Sequence, residues 1–145
     1  EMIQRMARIT TDSHEKSIPV LGMFYPRGRN LNLDDSDSTS GVAHAARLAW
    51  ELGCNVVKVP WTGSEESFRI VTSSVPIPVL VSGGPKDDDF DKVLELVEKS
   101  INAGGSGVCM GRNVFSSEDP ASRIRVLRAI VHDGANAEEA SRYLR

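Results

Sequence analysis

The chain has 145 residues, which is enough for one domain with a sizeable hydrophobic core. Hydrophobic residues make up 40% and charged residues 26% of the sequence, as in ordinary globular proteins, and no apolar run is long enough to cross a bilayer. The net charge is -3 and there is no large basic block, which argues against a nucleic-acid partner.

The N-terminal residues and the two cysteines bear on the location of the protein. Residues 1–6 have no signal-peptide features, and their lack of a typical start predicts that the chain begins within a longer protein. Cys54 and Cys109 do not form a CxxC pair, and both lie in or beside apolar runs, where cysteine is a small core residue. We therefore expect a protein of the reducing cytoplasm.

Predicted helices and strands alternate along the chain. Short β-branched runs predict strands, and apolar residues spaced three and four apart predict helices. In chain order, the predicted elements are a helix at 2–13, a strand at 18–24, a polar loop at 27–40, a helix at 42–52, a strand at 55–60, a helix opened by Ser64, a strand at 77–82, a helix at 90–101, a strand at 107–110, and helices at 120–132 and 137–144. The strands are hydrophobic on both faces, so we expect a parallel α/β sheet covered by helices, in one domain spanning residues 1–145.

Two architectures fit this alternation of strands and helices. Four or five strands in a chain of this length would make a small doubly wound domain. Alternatively, four (β/α) units would make half of an eight-stranded TIM barrel, which usually needs about 250 residues. Both architectures place ligands at the carboxyl ends of the parallel strands, so the candidate site is the same in either.

Lys58 lies near the end of the predicted strand at 55–60, within a run that is typical of a fully buried strand. Burial of an ammonium is costly, so a desolvated lysine is more readily neutral. A neutral amine can attack a carbonyl to form a Schiff base. The alternative is that the side chain extends past the strand end to water.

Glycine-rich sequences follow the third and fourth predicted strands. Glycines let backbone N–H groups approach a phosphate, and an arginine adds a guanidinium that can bind it at two points. The candidate phosphate-binding residues are Ser82, Gly83, Gly84, Gly111 and Arg112. Either loop alone could be a tight turn without a ligand, but two such loops at neighbouring strand ends favour a phosphate site.

Tyr25 and Arg27 follow the first predicted strand. A positioned phenol can act as a general acid or base, so Tyr25 is a candidate proton carrier. Arg27 could bind a phosphate or hold Tyr25 in place. The alternative for Tyr25 is an aromatic side chain that packs beside Pro26, and the alternative for Arg27 is a surface cation. The 3 histidines lack the spacing of metal ligands, so we expect no metal site.

Together, these segments resemble the archaeal-type class I fructose-bisphosphate aldolases and related Schiff-base enzymes. The matching segments are Tyr25-Pro26-Arg27-Gly28, His44-Ala45-Ala46-Arg47-Leu48, Glu51-Leu52-Gly53, Val57-Lys58, Thr62-Gly63, Ser82-Gly83-Gly84-Pro85-Lys86, Ala103-Gly104 and Gly111-Arg112-Asn113-Val114-Phe115. The combined order and spacing of these segments carry the resemblance. The aminodideoxyheptulosonate synthases of the same superfamily, which serve an alternative aromatic amino-acid route, share the Tyr-Pro-Arg-Gly and Gly-Arg-Asn sequences.

The resemblance implies a TIM barrel of which this chain is the C-terminal half, roughly strands five to eight. It implies that Lys58 forms the Schiff base, that Tyr25 transfers protons and that Arg27 shapes the site. The phosphate of a phosphorylated sugar would be held by Ser82, Gly83, Gly84, Gly111 and Arg112. No metal or organic cofactor is implied. We also expect a homo-oligomer, with the missing half of the barrel supplied by another segment or chain.

The resemblance implies metal-independent lyase activity, with reversible cleavage of a phosphorylated ketose as the leading hypothesis. Fructose 1,6-bisphosphate, for example, would give dihydroxyacetone phosphate and an aldehyde. Met23 stands where some fructose-bisphosphate aldolases carry tryptophan, which leaves the sugar open. Two alternatives are a 2-amino-3,7-dideoxy-D-threo-hept-6-ulosonate synthase, which is a transaldolase, and a non-catalytic phosphate-binding module with a doubly wound fold.

Overall fold

A computed structural model describes residues 1–28 and 35–144 of the chain. In this part of the chain, four strands form one parallel sheet in which each strand pairs with the next one in sequence. The strands are β1 (Leu21–Met23), β2 (Val56–Val59), β3 (Val79–Ser82) and β4 (Gly107–Cys109). In the register of the sheet, Lys58 aligns with Met23 on β1 and with Leu80 on β3.

Helices connect the strands and follow the last one. They are α1 (Met2–Glu15), α2 (Asp35–Glu51), α3 (Glu65–Ser73), α4 (Phe90–Asn102), α5 (Arg112–Phe115), α6 (Pro120–Asp133) and α7 (Ala137–Ser141), followed by a 3-10 turn at Arg142–Leu144. This arrangement confirms the predicted alternation and the parallel sheet. No helix in the described residues is long and apolar enough to span a membrane.

One face of the sheet packs against helices. Val57 and Val59 of β2 and Val79 and Val81 of β3 are at most 2% exposed, and they form a core with small and aromatic residues of α2 and α3. Each buried valine stabilises the fold by roughly 1.5–3 kcal/mol relative to an exposed one. The alternating burial of these strands therefore fixes which of their residues face the helices and which face away.

The opposite face of the sheet is only partly covered. Leu21 and Met23 on β1 are 43% and 65% exposed, and Val56 and Lys58 on β2 are half-buried. The run at 55–60, which is typical of a fully buried strand, is therefore buried on one face and half-buried on the other in this chain. In a TIM barrel, alternate strand residues face the helices and the barrel interior. The partly covered face corresponds to the interior side, which four strands alone do not enclose.

The start of α2 differs from the predicted boundary. The helix begins at Asp35, so the last part of the predicted polar loop at 27–40 is helical. Thr39 is 9% exposed and precedes the buried Val42 by three positions, so the inward stripe begins one turn before the first apolar residue. Residues 29–34 of the predicted loop lie outside the described residues.

A second hydrophobic cluster joins the C-terminal helices to α4. Leu94 and Val97 of α4 are fully buried against Val126 and Ile130 of α6, with small residues of α7 at the edge. The short helix α5, which begins at Arg112 directly after β4 and Gly111, packs between β4 and this cluster through Val114. It was not predicted, because four residues are too few to show a helical period.

Candidate functional site

The predicted site residues follow the carboxyl ends of the strands. Tyr25 and Arg27 come after β1, Lys58 lies on β2, Ser82 ends β3 and Gly111 comes after β4. Because all four strands are parallel, these positions lie at the same end of the sheet, where the strands have their carboxyl ends. The structure therefore places them where ligands bind in such folds.

Lys58 is the third residue of β2, on the partly covered face of the sheet. Its Nζ lies 3.9 Å from Sδ of Met23, which is a weak hydrogen-bond acceptor. None of the ion pairs formed among the described residues includes Lys58. The amine is therefore not held in an ion pair by another described residue.

Tyr25 and Arg27 line a mostly apolar cleft beside β1. The cleft has a volume of about 740 Å³ and is bounded by α1, β1 and α2. Tyr25 is 41% exposed, and Lys58 does not line this cleft. The structure thus places both residues at the predicted edge of the sheet, in a cleft beside β1 rather than in one shared with the lysine.

The loop after β3 depends on its two glycines. Gly84 has φ +61°, in the left-handed region that favours glycine, and a Cβ on Gly83 would lie 2.4 Å from Cβ of Met110. With Ser82, which is 8% exposed, they line a cleft of about 420 Å³ that also includes Trp61. The backbone at Gly83 therefore lies so close to Met110 that only glycine fits, as expected for a glycine-rich binding loop.

The loops after β3 and β4 are joined by a hydrogen bond from Arg112. Its Nη2 donates to the carbonyl oxygen of Gly84 over 2.8 Å. Arg112 and Gly111 are both exposed, so the rest of the guanidinium faces solvent. The structure therefore brings together the predicted phosphate-binding residues of the two loops.

Asn113 makes further connections between the same loops. Its Nδ2 donates to the carbonyl oxygens of Gly83 (2.6 Å) and Pro85 (3.1 Å), and its Oδ1 accepts from the N–H of Asp87 (2.8 Å). Asn113 is 1% exposed. The sequence placed it in the Gly-Arg-Asn segment but did not show its partners, because these lie 26 to 30 residues earlier in the chain.

Of the two cysteines predicted to be small core residues, Cys54 lies in the core and Cys109 is only half-buried. Cys54 is 3% exposed, and desolvation by burial raises the pKa of its thiol. Cys109 is half-buried at the end of β4, where it aligns with Ser82. Among the described residues, no three His, Cys, Asp or Glu side chains are grouped in a way that could hold a metal ion.

The family of the chain follows from comparison with known proteins. The model of the DeoC/LacD family aldolases matches residues 1–117. The chain therefore belongs to this family of aldolases, and the resemblance to Schiff-base aldolases that the sequence motifs indicate is confirmed.

Two curated relatives are synthases. The chain is 37% identical over 131 residues to the 2-amino-4,5-dihydroxy-6-oxo-7-(phosphonooxy)heptanoate synthase of Streptomyces griseus, with 90% of this chain and 47% of the relative covered. It is 38% identical over 143 residues to the 2-amino-3,7-dideoxy-D-threo-hept-6-ulosonate synthase 1 of Archaeoglobus fulgidus, with 99% of this chain and 52% of the relative covered. The chain spans about half the length of these curated relatives.

Two similar solved structures are fructose-1,6-bisphosphate aldolases. An archaeal enzyme superposes with a TM-score of 0.83 at 34% identity, covering 92% of this chain and 52% of that chain. A Schiff-base-forming enzyme, studied through its reaction intermediates, superposes with a TM-score of 0.82 at 33% identity, covering 90% of this chain and 52% of that chain. The four-stranded sheet is therefore half of a TIM barrel, as one of the two predicted architectures required, and the doubly wound alternative is wrong.

Proposed function

We propose that the protein containing this chain is a Schiff-base transaldolase of the 2-amino-3,7-dideoxy-D-threo-hept-6-ulosonate synthase type. The proposal is carried by the position of Lys58, at the carboxyl edge of a half barrel and without an ion-pair partner among the described residues. The names of the relatives at 37% and 38% identity support the synthase over the cleavage of fructose 1,6-bisphosphate.

The proposed chemistry begins at the Lys58 amine. The neutral amine attacks the ketone of a phosphorylated sugar, and loss of water gives an iminium whose positive charge draws electrons. The C3–C4 bond then breaks, releasing an aldehyde and leaving an enamine. In a transaldol reaction, the enamine attacks a second aldehyde, and water then hydrolyses the new iminium to release the product and regenerate the amine.

Tyr25 is proposed as the proton carrier of this reaction. It lies two residues beyond Met23, whose strand position aligns with Lys58. The Tyr25 oxygen can accept the proton from the hydroxyl next to the breaking bond and return it to the alkoxide that forms when the enamine attacks the second aldehyde. Arg27, two residues further along, is proposed to shape the wall of the site.

The substrate phosphate is proposed to bind at the loops after β3 and β4. Its ligands would be Ser82, Gly83, Gly84, Gly111 and Arg112. The hydrogen bond between Arg112 and Gly84 supports this assignment, because it holds the two loops next to each other. A fixed phosphate would orient the substrate so that its carbonyl meets the amine, and this orientation lowers the reaction barrier.

Borohydride trapping of the complete protein tests the proposal. With dihydroxyacetone phosphate, trapping should increase the mass of the Lys58 peptide by one substrate less one oxygen atom, because water is lost on iminium formation and two hydrogens are added on reduction; peptide mass spectrometry measures this increase. Lys58→Ala should abolish the adduct, whereas Lys99→Ala, which removes an exposed lysine of α4 that does not line the cleft beside the loop after β3, should not. The absence of an adduct from the complete wild-type protein, or an adduct on another lysine, would overturn the proposal.

Fructose-1,6-bisphosphate aldolase activity is the second candidate, favoured by the solved structures at 33% and 34% identity. Assays of the complete protein with fructose 1,6-bisphosphate and with the synthase substrates separate the two, since both use the same lysine. A cytoplasmic location and a homo-oligomeric state stay predictions, to be checked by cell fractionation and by sedimentation.

A further inference from the structure

Asn113 is a buried polar side chain whose hydrogen bonds all run to one loop. It lies on α5 and is 1% exposed, and its amide contacts the backbone of Gly83, Pro85 and Asp87. An asparagine amide combines donors and an acceptor, so it can satisfy two carbonyl groups and one N–H group at once. Neither a carboxylate nor a hydroxyl can make all three bonds.

These contacts also set the direction of two backbone N–H groups in the loop, those of Gly84 and Lys86. The peptide bonds of the described residues are trans, and in a trans peptide the carbonyl and the following N–H point in opposite directions. Since the carbonyl oxygen of Gly83 points at Asn113, the N–H of Gly84 turns away from it. By the same geometry, the N–H of Lys86 turns away because the carbonyl oxygen of Pro85 points at Asn113.

Arg123 binds the backbone of Asn113. Nη1 of Arg123 donates to the carbonyl oxygen of Asn113 over 2.5 Å. The guanidinium of Arg123 lies 4.2 Å from the centre of the Phe90 ring, a cation–π contact at the start of α4. The backbone of Asn113 is therefore held by Arg123 of α6, which in turn contacts Phe90 of α4.

We propose that Asn113 is a positioning residue that fixes the loop of residues 83–87 so that its outward N–H groups bind the phosphate of the substrate. This inference rests on the proposed function and deepens it. Asn113 touches no reacting atom in this scheme. Its effect should therefore appear in the binding of phosphorylated ligands and not in the reactivity of Lys58.

The test compares phosphorylated and unphosphorylated ligands on the complete protein carrying Asn113→Ala. We expect the Kd for inorganic phosphate, and the dihydroxyacetone phosphate concentration that half-saturates borohydride trapping, to rise about tenfold or more, as for a lost hydrogen bond to a charged group. Half-saturation with dihydroxyacetone, which has no phosphate, should stay unchanged. Ser100→Ala is the matched control, because Ser100 is 0% exposed and its hydroxyl donates to the carbonyl oxygen of Val97 within α4.

The two proposals fail in different ways. The role of Asn113 is overturned if Asn113→Ala folds and binds inorganic phosphate as tightly as the wild type. It is also overturned if the half-saturating concentrations of dihydroxyacetone phosphate and dihydroxyacetone rise equally. In both cases, trapping on Lys58 still supports the aldolase proposal. If phosphate affinity falls as expected but no ketone is trapped on the wild type, the aldolase proposal fails. Should the alanine variant unfold, Asn113→Ser is measured instead, and unaltered phosphate affinity in that variant again overturns the inference.

Discussion

Lys58 and Asn113 occupy contrasting settings at the same edge of the sheet. Lys58 is half-buried, and its Nζ has a thioether 3.9 Å away. Asn113 is fully buried, and both polar ends of its amide are satisfied. A reacting amine has to lose its proton and change partners, whereas a residue that shapes a loop should hold one arrangement. The two settings therefore agree with the different roles proposed for them.

Gly83 is the residue in the loop after β3 with the least room for a side chain. We expect Gly83→Ala to destabilise the complete protein by about 1–3 kcal/mol, because the added Cβ would meet Met110 and force the backbone to shift. Urea unfolding followed by circular dichroism measures the change. The control is Gly28→Ala, since a Cβ there would meet nothing within 4 Å. Equal stability of the two variants would contradict the close approach.

At the scale of the elements, side-chain caps define several helix starts. Asp89 and Asp119 cap α4 and α6, and Ser64 and Asn136 form capping boxes at α3 and α7. Each cap supplies an acceptor to a backbone N–H that has no partner within the helix. These caps fix where each helix begins, and those of α3 and α4 thereby end the loops that follow β2 and β3.

The cap of α6 predicts a pH dependence of stability. The hydroxyl and then the N–H of Ser122 donate to Asp119 and hold the pKa of its carboxyl below the ordinary value, with Arg125 adding to the effect. A lowered folded pKa stabilises the protein above the ordinary aspartate pKa of about 3.9, and this contribution is lost as pH falls through the folded value.

We expect Asp119→Asn, which keeps an acceptor but does not titrate, to be less stable than the wild type near neutral pH. The difference should shrink as the pH is lowered into the range where Asp119 becomes protonated. Urea unfolding at a series of pH values measures it. A difference that stays constant down to acid pH would show that the charge of Asp119 does not contribute.

The periodic elements could be predicted from the sequence, and the contacts between distant segments could not. The β-branched runs at 55–60 and 77–82 and the apolar stripe of α4 each carry a signal within a few neighbouring residues. The hydrogen bonds of Asn113 join positions on different (β/α) units, and no local pattern specifies them.

The placement of Lys58 was also only partly predictable. Its strand and its nearness to the carboxyl ends of the strands could be predicted, since both depend on the local pattern of residues. The sequence did not show that Val56 and Lys58 lie on a face that other strands leave partly open, because exposure of that face depends on which strands lie opposite.

At the scale of the whole molecule, the partly covered face ends in an exposed edge strand. β1 is at one edge of the described sheet and presents Leu21 and Met23, which are 43% and 65% exposed. Edge strands with unpaired backbone groups and apolar side chains favour association with other chains. β1 also lines the cleft that contains Tyr25 and Arg27.

We expect the 145-residue chain, when produced by itself, to self-associate through this edge. Leu21→Lys should reduce the association, because a charge on an edge strand opposes pairing with another sheet. Ile70→Lys is the control, since Ile70 is 57% exposed on α3, away from the edge of the sheet. Sedimentation velocity measures both. A monomeric wild-type chain, or equal loss of association in the two variants, would contradict this expectation.

The order of the strands also bears on how the chain acquires its structure during synthesis. Each strand pairs with the strand that follows it in sequence, so every pairing closes a single (β/α) unit and none spans the whole chain. β1 and β2 can therefore pair while β4 is still inside the ribosome. We expect folding to advance from the N-terminus one (β/α) unit at a time, with each finished unit serving as the template for the next.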